Sequence, residues 1–446
     1  MTKGDDDMSS NTAPKLGLIS CAAIVAGNVM SSGIALLPSN LAAIGSITFI
    51  SWILASIGAI ALAYIYAKLA VTDPQPGGPI AYASKVSPIL GYQAGMLYFH
   101  ASWVGNLALA VAGVAYLAIF FPVLTDSIYA GIATIAIIWI FSSINIFRPN
   151  WIGYLTATGV ILLMIPVALT GTVGWLFFSK SQFLANWNMS DQNHFSALTA
   201  GMLLCLWSFI GLESASTNAG LARNPKVIIP RSTMIGVFLA AILYILSSTA
   251  ILGMFPANTL INSGAPFALS TYRITGHYWM GEVASIFTTF ACLSALGSWI
   301  MLVSQAGARS AREGILIKVF GEISNRGIPA KGLILSSVFM TSLMLVLMFF
   351  DHSAQQVFGH IISIAVLLIS FPYFYSALNF FRAASEYPML KRCWYSFIAI
   401  IATLYCFTSF FGVQHDIFVG VVIVSLLVFV FYARINRSQS AKRRAL

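Results

Sequence analysis

Leu206-Trp207-Ser208-Phe209-Ile210-Gly211-Leu212-Glu213-Ser214-Ala215-Ser216 sets a glycine, a carboxylate and a run of small residues inside an apolar stretch that extends from about residue 196 to 220. A stretch of that length is what a helix needs to cross a hydrocarbon core of about 30 Å, which takes roughly 20 residues. Glu213 is the only acidic residue well inside any such stretch of the chain. An ionisable group at that depth is costly unless it pairs, protonates or lines water, so it marks a functional position by default. A structural carboxylate, held by nearby backbone or hydroxyl groups, is the alternative.

Working outward, comparable apolar stretches recur at roughly 15–38, 43–68, 84–120, 128–147, 151–178, 196–220, 230–255, 280–308, 331–350, 356–381, 393–411 and 414–433. Unpaired amides cannot face lipid, so twelve transmembrane helices are expected, and the continuous rather than alternating apolar pattern disfavours a β-barrel. The first stretch contains Ser31-Ser32-Gly33, an interruption like that of the sixth, and the two occupy the same place in successive blocks of five helices. Paired interruptions of this kind point to an inverted-repeat transporter with its site at the midplane. Close helix packing, which Gly and Ser also permit, is the bland reading of either one alone.

Composition agrees: 59% of the 446 residues are apolar and 8% are charged, against roughly 25% charged in a soluble domain. The longest polar interruptions, 180–193 and 308–331, are too short for a soluble domain. The expected organisation is a tail over 1–14, a membrane domain over 15–433 (repeat one about 15–178, repeat two about 196–381, two further helices about 393–433) and a basic, irregular tail over 434–446. Asp5, Asp6 and Asp7 replace the basic start of a secretory signal, so the first helix is expected to be retained.

The net charge of +10 reads as topology rather than as nucleic-acid binding. Of 23 Lys and Arg, only Lys180 and Arg273 fall in one of the two alternating sets of loops. The positive-inside rule then puts both termini in the cytoplasm of a bacterial inner membrane. Cys21, Cys205, Cys292, Cys393 and Cys406 show no metal-type spacing and read as buried free thiols. No H-E-x-x-H, Walker or G-x-S-x-G motif is present, so neither an enzyme nor an ATP-driven pump is indicated, and no metal or cofactor is expected. Asn188-Met189-Ser190 is a glycosylation match of low specificity. His100, in Tyr98-Phe99-His100-Ala101-Ser102-Trp103, is either a hydrogen-bonded packing residue or a proton carrier. Tyr98, Trp103, Trp207, Trp299 and Tyr373 neighbour the other signals, and aromatic faces hold cations with about 0.5–2 kcal/mol.

At these residues the chain resembles the amino acid/polyamine/organocation superfamily, in particular its bacterial basic amino acid/diamine antiporters. The resemblance covers nearly the whole chain: Ala26 to Ile34, Pro76-Gly77-Gly78-Pro79-Ile80-Ala81-Tyr82-Ala83, Leu206 to Ala215, Ser263-Gly264-Ala265-Pro266-Phe267, Leu296-Gly297-Ser298-Trp299 and Pro372-Tyr373-Phe374-Tyr375. It implies an all-α membrane protein with a LeuT-type five-plus-five inverted repeat, broken helices 1 and 6, and a homodimeric state. It places the substrate α-carboxylate at Val29, Ser32 and Gly33, where exposed helix-end amides suit an anion. It assigns the cationic side chain to Tyr98, Ala101, Asn106, Trp207, Ile210, Trp299 and Tyr373, and proton coupling to Glu213. Ser31 stands where the family usually has glycine, and Ala365 stands at a substrate-contacting position that is serine in arginine/agmatine members. The blocks around His100 and Ser263 are most similar to members that exchange lysine for cadaverine, which implies a functional pairing with a cytoplasmic amino acid decarboxylase. Arginine/agmatine or ornithine/putrescine exchange, and proton-coupled uptake of the same cations, are the rivals; a membrane-embedded enzyme or channel is the rival outside transport.

Overall fold

The computed structural model describes residues 17–30, 33–73, 78–213, 223–324, 327–350 and 353–444, all of them helix, turn or loop. The helices are α1 (Leu18–Met30), α2 (Leu37–Ile44), α3 (Thr48–Thr72), α4 (Pro79–Val86), α5 (Pro88–Leu117), α6 (Ser127–Phe147) and α7 (Asn150–Thr172). They continue with α8 (His194–Ser208), α9 (Pro225–Met254), α10 (Pro266–Thr275), α11 (Tyr278–Arg312), α12 (Ala330–Phe350), α13 (Ala354–Ala383), α14 (Met389–Phe411) and α15 (His415–Arg444). Ten of the described helices are long and apolar enough to cross a membrane. The two apolar stretches missing from that set are the two expected to be interrupted. α1 stops at Met30 and helix resumes at Leu37, while α8 stops at Ser208 and passes into a turn over 209–213. Ser31 and Ser32, and residues 214–222, lie outside the described residues.

Three boundaries differ from the sequence expectation. The stretch expected as one helix from 84 is two, because Ser87 adopts an extended conformation before Pro88, as the residue before a proline is pushed to do. The tail expected to be irregular continues α15 to Arg444; Asn436 to Arg444 contains no Gly or Pro to end a helix. Cys393, expected to be buried, is exposed in the second turn of α14, whereas the other four cysteines are buried.

The bundle centre is α5 and α13, whose apolar windows are 78% and 72% buried; α15, at 17%, lies at the edge. Besides the buried Val421 and Val428, polar groups hold α15. Gln93 of α5, 1% exposed, donates through Nε2 to Ser425 Oγ (2.7 Å) and to the Ser425 carbonyl (3.3 Å) on α15. Its Oε1 accepts from the Tyr375 hydroxyl of α13. Elsewhere small residues let helices close up: a Cβ on Gly236 of α9 would lie 2.8 Å from Val25 Cγ1 and 2.9 Å from the Ala26 nitrogen of α1.

Candidate functional site

Where a helix breaks, the last carbonyls lose their partners. Here those of α1 and α8 are satisfied by each other's neighbourhood. The Tyr244 hydroxyl, on α9, donates to the Val29 carbonyl at 2.9 Å and lies 3.3 Å from the Ser208 carbonyl. Ser208 Oγ donates to the Gly33 carbonyl at 3.1 Å. The backbones are so close that a Cβ on Gly33 would sit 2.9 Å from Ser208 Cα. Trp52, Phe209 and Tyr244 pack round this junction with ring centroids 5.3–6.1 Å apart. Ser208 and Tyr244 were not singled out from the sequence. A tyrosine in an otherwise apolar span was the available signal, but its partners are backbone atoms 215 and 36 residues away.

Beyond Ser208 the chain turns sharply. Gly211 has φ +103, a left-handed conformation that a side chain rarely adopts. This turn brings Glu213 back toward α5 and α13. Glu213 is 4% exposed. One of its oxygens, Oε1, accepts from the Tyr98 hydroxyl at 2.9 Å. The other, Oε2, accepts from the Tyr373 hydroxyl at 2.7 Å and the Gly211 N–H at 3.1 Å. These donors replace water around a carboxylate withdrawn from solvent. They also join α5, α13 and the turn after α8 through one side chain.

Two cavities meet beside this carboxylate. A small one of about 40 Å³ is lined by Val29, Gly33, Ala101, Asn106, Trp207, Ile210 and Trp299, with Gly105 and Ile369. Asn106 Nδ2 and Trp207 Nε1 are buried donors with no partner among the described residues. Gly105 leaves room for Trp207, whose ring atoms lie 3.1 Å from where its Cβ would be. A larger cavity of about 580 Å³ is lined by Tyr98, Glu213 and Trp299 and runs past Gln305 to Arg309, Gly78 and Pro149 at the basic end of the bundle. Trp299 and Ser102 line both cavities. Trp207 also meets Phe358 edge-on at 6.3 Å.

Trp299 is held through the backbone just before it. Asn145 Nδ2 on α6 donates to the Gly297 carbonyl at 3.0 Å. Thr156 on α7 hydrogen-bonds Ser298 Oγ at 2.7 Å and donates toward the Ser294 carbonyl at 3.2 Å.

The remaining sequence-named residues fall elsewhere. Tyr373 is buried behind Glu213 and lines neither cavity. Ala365 is fully buried and also lines neither. Ser32 lies outside the described residues. His100 lines neither cavity: Nδ1 contacts the Met96 carbonyl at 2.8 Å, and its ring packs between Phe99 and Trp103, the helix-bound arrangement of a packing histidine.

A buried carboxylate with hydroxyl donors, open donors in a small chamber and aromatic walls suits a ligand with both an acidic group and a cationic amine. Comparison with known proteins agrees in kind. The amino acid permease family model matches residues 16–437. The chain belongs to the amino acid permease family. This permease is 46% identical over 427 residues to the cadaverine/lysine antiporter of Escherichia coli (strain K12), covering 95% of this chain and 96% of that protein. It is 28% identical over 432 residues to the putrescine transporter PotE of the same strain, covering 96% and 98%. The same identity holds for the putrescine transporter PotE of Haemophilus influenzae, with 96% and 99% covered. The chain is therefore a multi-pass membrane transporter and not an enzyme.

Proposed function

We propose that this permease exchanges external lysine for internal cadaverine across a bacterial inner membrane, with both termini in the cytoplasm. The observation that carries the reading is the 46% identity, over nearly the full length of both chains, with a cadaverine/lysine antiporter. The site supports it chemically. Lysine and cadaverine share an aminopentyl chain and differ by one carboxylate, so a common site must hold the shared part. Trp207, Trp299 and Tyr98 offer aromatic faces to the ammonium end and the methylenes. The carboxylate of lysine, absent from cadaverine, is assigned to the break at Val29, Ser32 and Gly33, where helix-end amides favour an anion. Ala101, Asn106 and Ile210 shape the chamber, and Ala365 backs it from within α13.

Glu213 is the proton-coupling group. A protonated carboxyl carries a donor on one oxygen and loses its charge, so the hydrogen bonds from Tyr98 and Tyr373 weaken, most at the oxygen that takes the proton. Proton occupancy is thereby tied to the contact between α5, α13 and the turn after α8. The architecture is read as twelve membrane helices in a five-plus-five inverted repeat of the LeuT type, with repeats about 15–178 and 196–381, two further helices about 393–433, and tails over 1–14 and 434–446. With the basic end inside, the larger cavity opens to the cytoplasm and the Trp207–Phe358 contact shuts the outside. Homodimerisation, surrounding lipid and supply of cadaverine by a cytoplasmic lysine decarboxylase complete the reading.

Charge balance tests it. Near neutral pH lysine carries about +1 and cadaverine about +2, from the ordinary ammonium and carboxyl pKa values. One-for-one exchange then moves one positive charge outward per cycle, worth about 2.3 kcal/mol per 100 mV. In proteoliposomes loaded with cadaverine, uptake of labelled lysine should require the internal diamine and should accelerate when the inside is made positive. Lysine/lysine exchange should respond less. Uptake into empty vesicles would show a uptake permease instead, uptake indifferent to potential would contradict the charge balance, and faster exchange with arginine/agmatine or ornithine/putrescine would reassign the pair.

A further inference from the structure

Away from the central site, at the end of the bundle opposite Arg309, a cavity of about 450 Å³ lies between the end of α5, the start of α6, α10 and the start of α11. Glu282, in the second turn of α11, lines it and is only partly exposed. No hydrogen bond or ion pair involves its carboxylate among the described residues, and the described ion pairs lie elsewhere. Tyr272 and Tyr278 line the same cavity with ring centroids 6.1 Å apart, edge to face. A second cavity of about 630 Å³ shares Asn262, Ser353 and Gln355 with it and runs between α2, α8 and α13 to Leu204 and Gly359. Those two residues lie one turn from Trp207 and next to Phe358, which meet edge to face beside the central chamber.

The charge pattern gives this end of the molecule a sign. Among the described residues its loops and helix starts carry Asp126, Asp191, Glu282 and Asp416 against Lys180 and Arg273, while Arg148, Arg309, Arg312 and Lys331 lie toward the opposite end. A cleft of one sign with apolar walls concentrates the opposite charge. A carboxylate without a partner beside two aromatic faces is the chemistry that receives an alkylammonium group.

We propose that the cavity at Glu282 is an outer capture site for the ammonium end of a basic amino acid or an α,ω-diamine, occupied before the cation reaches the central chamber. This rests on the reading that the chain carries such cations and that its basic end faces the cytoplasm. Glu282 pairs with the ammonium, Tyr272 and Tyr278 cover the methylenes, and the route onward passes Asn262 and Gln355. The site acts on the outer side only.

The test uses Thr125→Cys, an exposed position on the same cavity, in intact cells expressing the full chain, with cadaverine as the probe. External cadaverine should slow modification of this cysteine by a membrane-impermeant maleimide. The protection should persist in Glu213→Gln and in Asp416→Asn, which removes an outer charge that lines neither outer cavity, and disappear in Glu282→Gln. In vesicles Glu282→Gln should raise the external KM for cadaverine about three- to tenfold, in line with a surface charge pair plus an aromatic contact, and leave the internal KM unchanged. Protection untouched by Glu282→Gln, or weakened equally by Asp416→Asn, overturns the proposal, as does labelling from the cytoplasmic side alone. Glu282-dependent protection in a chain that exchanges no cationic amine would leave the capture site standing and remove the transport reading. Exchange without protection would do the reverse.

Discussion

Glu213 and Glu282 are the same chemical group in two lined cavities, and their surroundings differ in almost every respect. Glu213 is 4% exposed and accepts hydrogen bonds from Tyr98, Tyr373 and Gly211, on three separate elements. Glu282 is partly exposed and accepts from none of the described residues. A carboxylate engaged on both oxygens gives up charge-assisted hydrogen-bond strength when it takes a proton, whereas an unengaged one has none to give up. Under the proposed function, the contrast separates a group assigned to coupling from one assigned to capture.

The largest effect should come from removing the coupling group. Glu213→Gln replaces a charged acceptor of several hydrogen bonds by an amide, and charge-assisted bonds are worth about 1.5–3 kcal/mol each, so exchange should fall by about 100-fold. The dependence on pH should flatten as well, since no proton binds at that position. Labelled lysine/cadaverine exchange measured from acidic to neutral pH decides this; a wild-type rate with a wild-type profile would make Glu213 a structural carboxylate.

Next come the hydroxyls that hold it. Tyr373 is buried behind Glu213, so nothing replaces its bond, and Tyr373→Phe should cost exchange about tenfold, one hydrogen bond to a charged group. Tyr98 lines the larger cavity, where water can stand in for a lost hydroxyl, so Tyr98→Phe should cost about threefold. The reverse order in the same exchange assay would mean that Tyr98 is the tighter hold and that the two sides of the carboxylate have been misjudged.

The smallest effect should fall on affinity alone. Trp299→Leu keeps bulk between the two cavities but removes an aromatic face, and should weaken lysine and cadaverine binding about fivefold with maximal exchange little changed. Calorimetric titration of the purified protein with each ligand checks it. Unchanged affinity would leave Trp299 as a partition between cavities and nothing more.

Much of this was legible because membrane sequences make anomalies conspicuous. Glu213, Ser31-Ser32-Gly33 and Gly211 stand out against apolar neighbours, and the described non-helical backbone includes Gly33 and Gly211. The convergence of Tyr98, Trp207, Trp299 and Glu213 on adjoining cavities also followed from the pattern of resemblance. Ala365 was expected to contact substrate and lines no cavity, since α13 turns that face into the core. What stayed invisible were polar residues whose partners are distant backbone atoms. Tyr244 to Val29, Ser208 to Gly33 and Asn145 to Gly297 leave no trace in local spacing, because a carbonyl accepts regardless of which side chain it carries. The start of α5 could have been read from Pro88, but the short helix before it was absorbed into a longer apolar run.

The polar fastening of α15 has a consequence for how the chain is made. Gln93 emerges from the ribosome 332 residues ahead of Ser425. Until the last helix enters the bilayer, the amide group of Gln93 lacks the acceptor that the finished protein gives it, and an unsatisfied polar group in hydrocarbon costs several kcal/mol. A nascent chain thus carries an open polar defect through most of its synthesis, and insertion of the final span closes it. Among the described spans, the helix least buried in the bundle is the one whose arrival closes that defect.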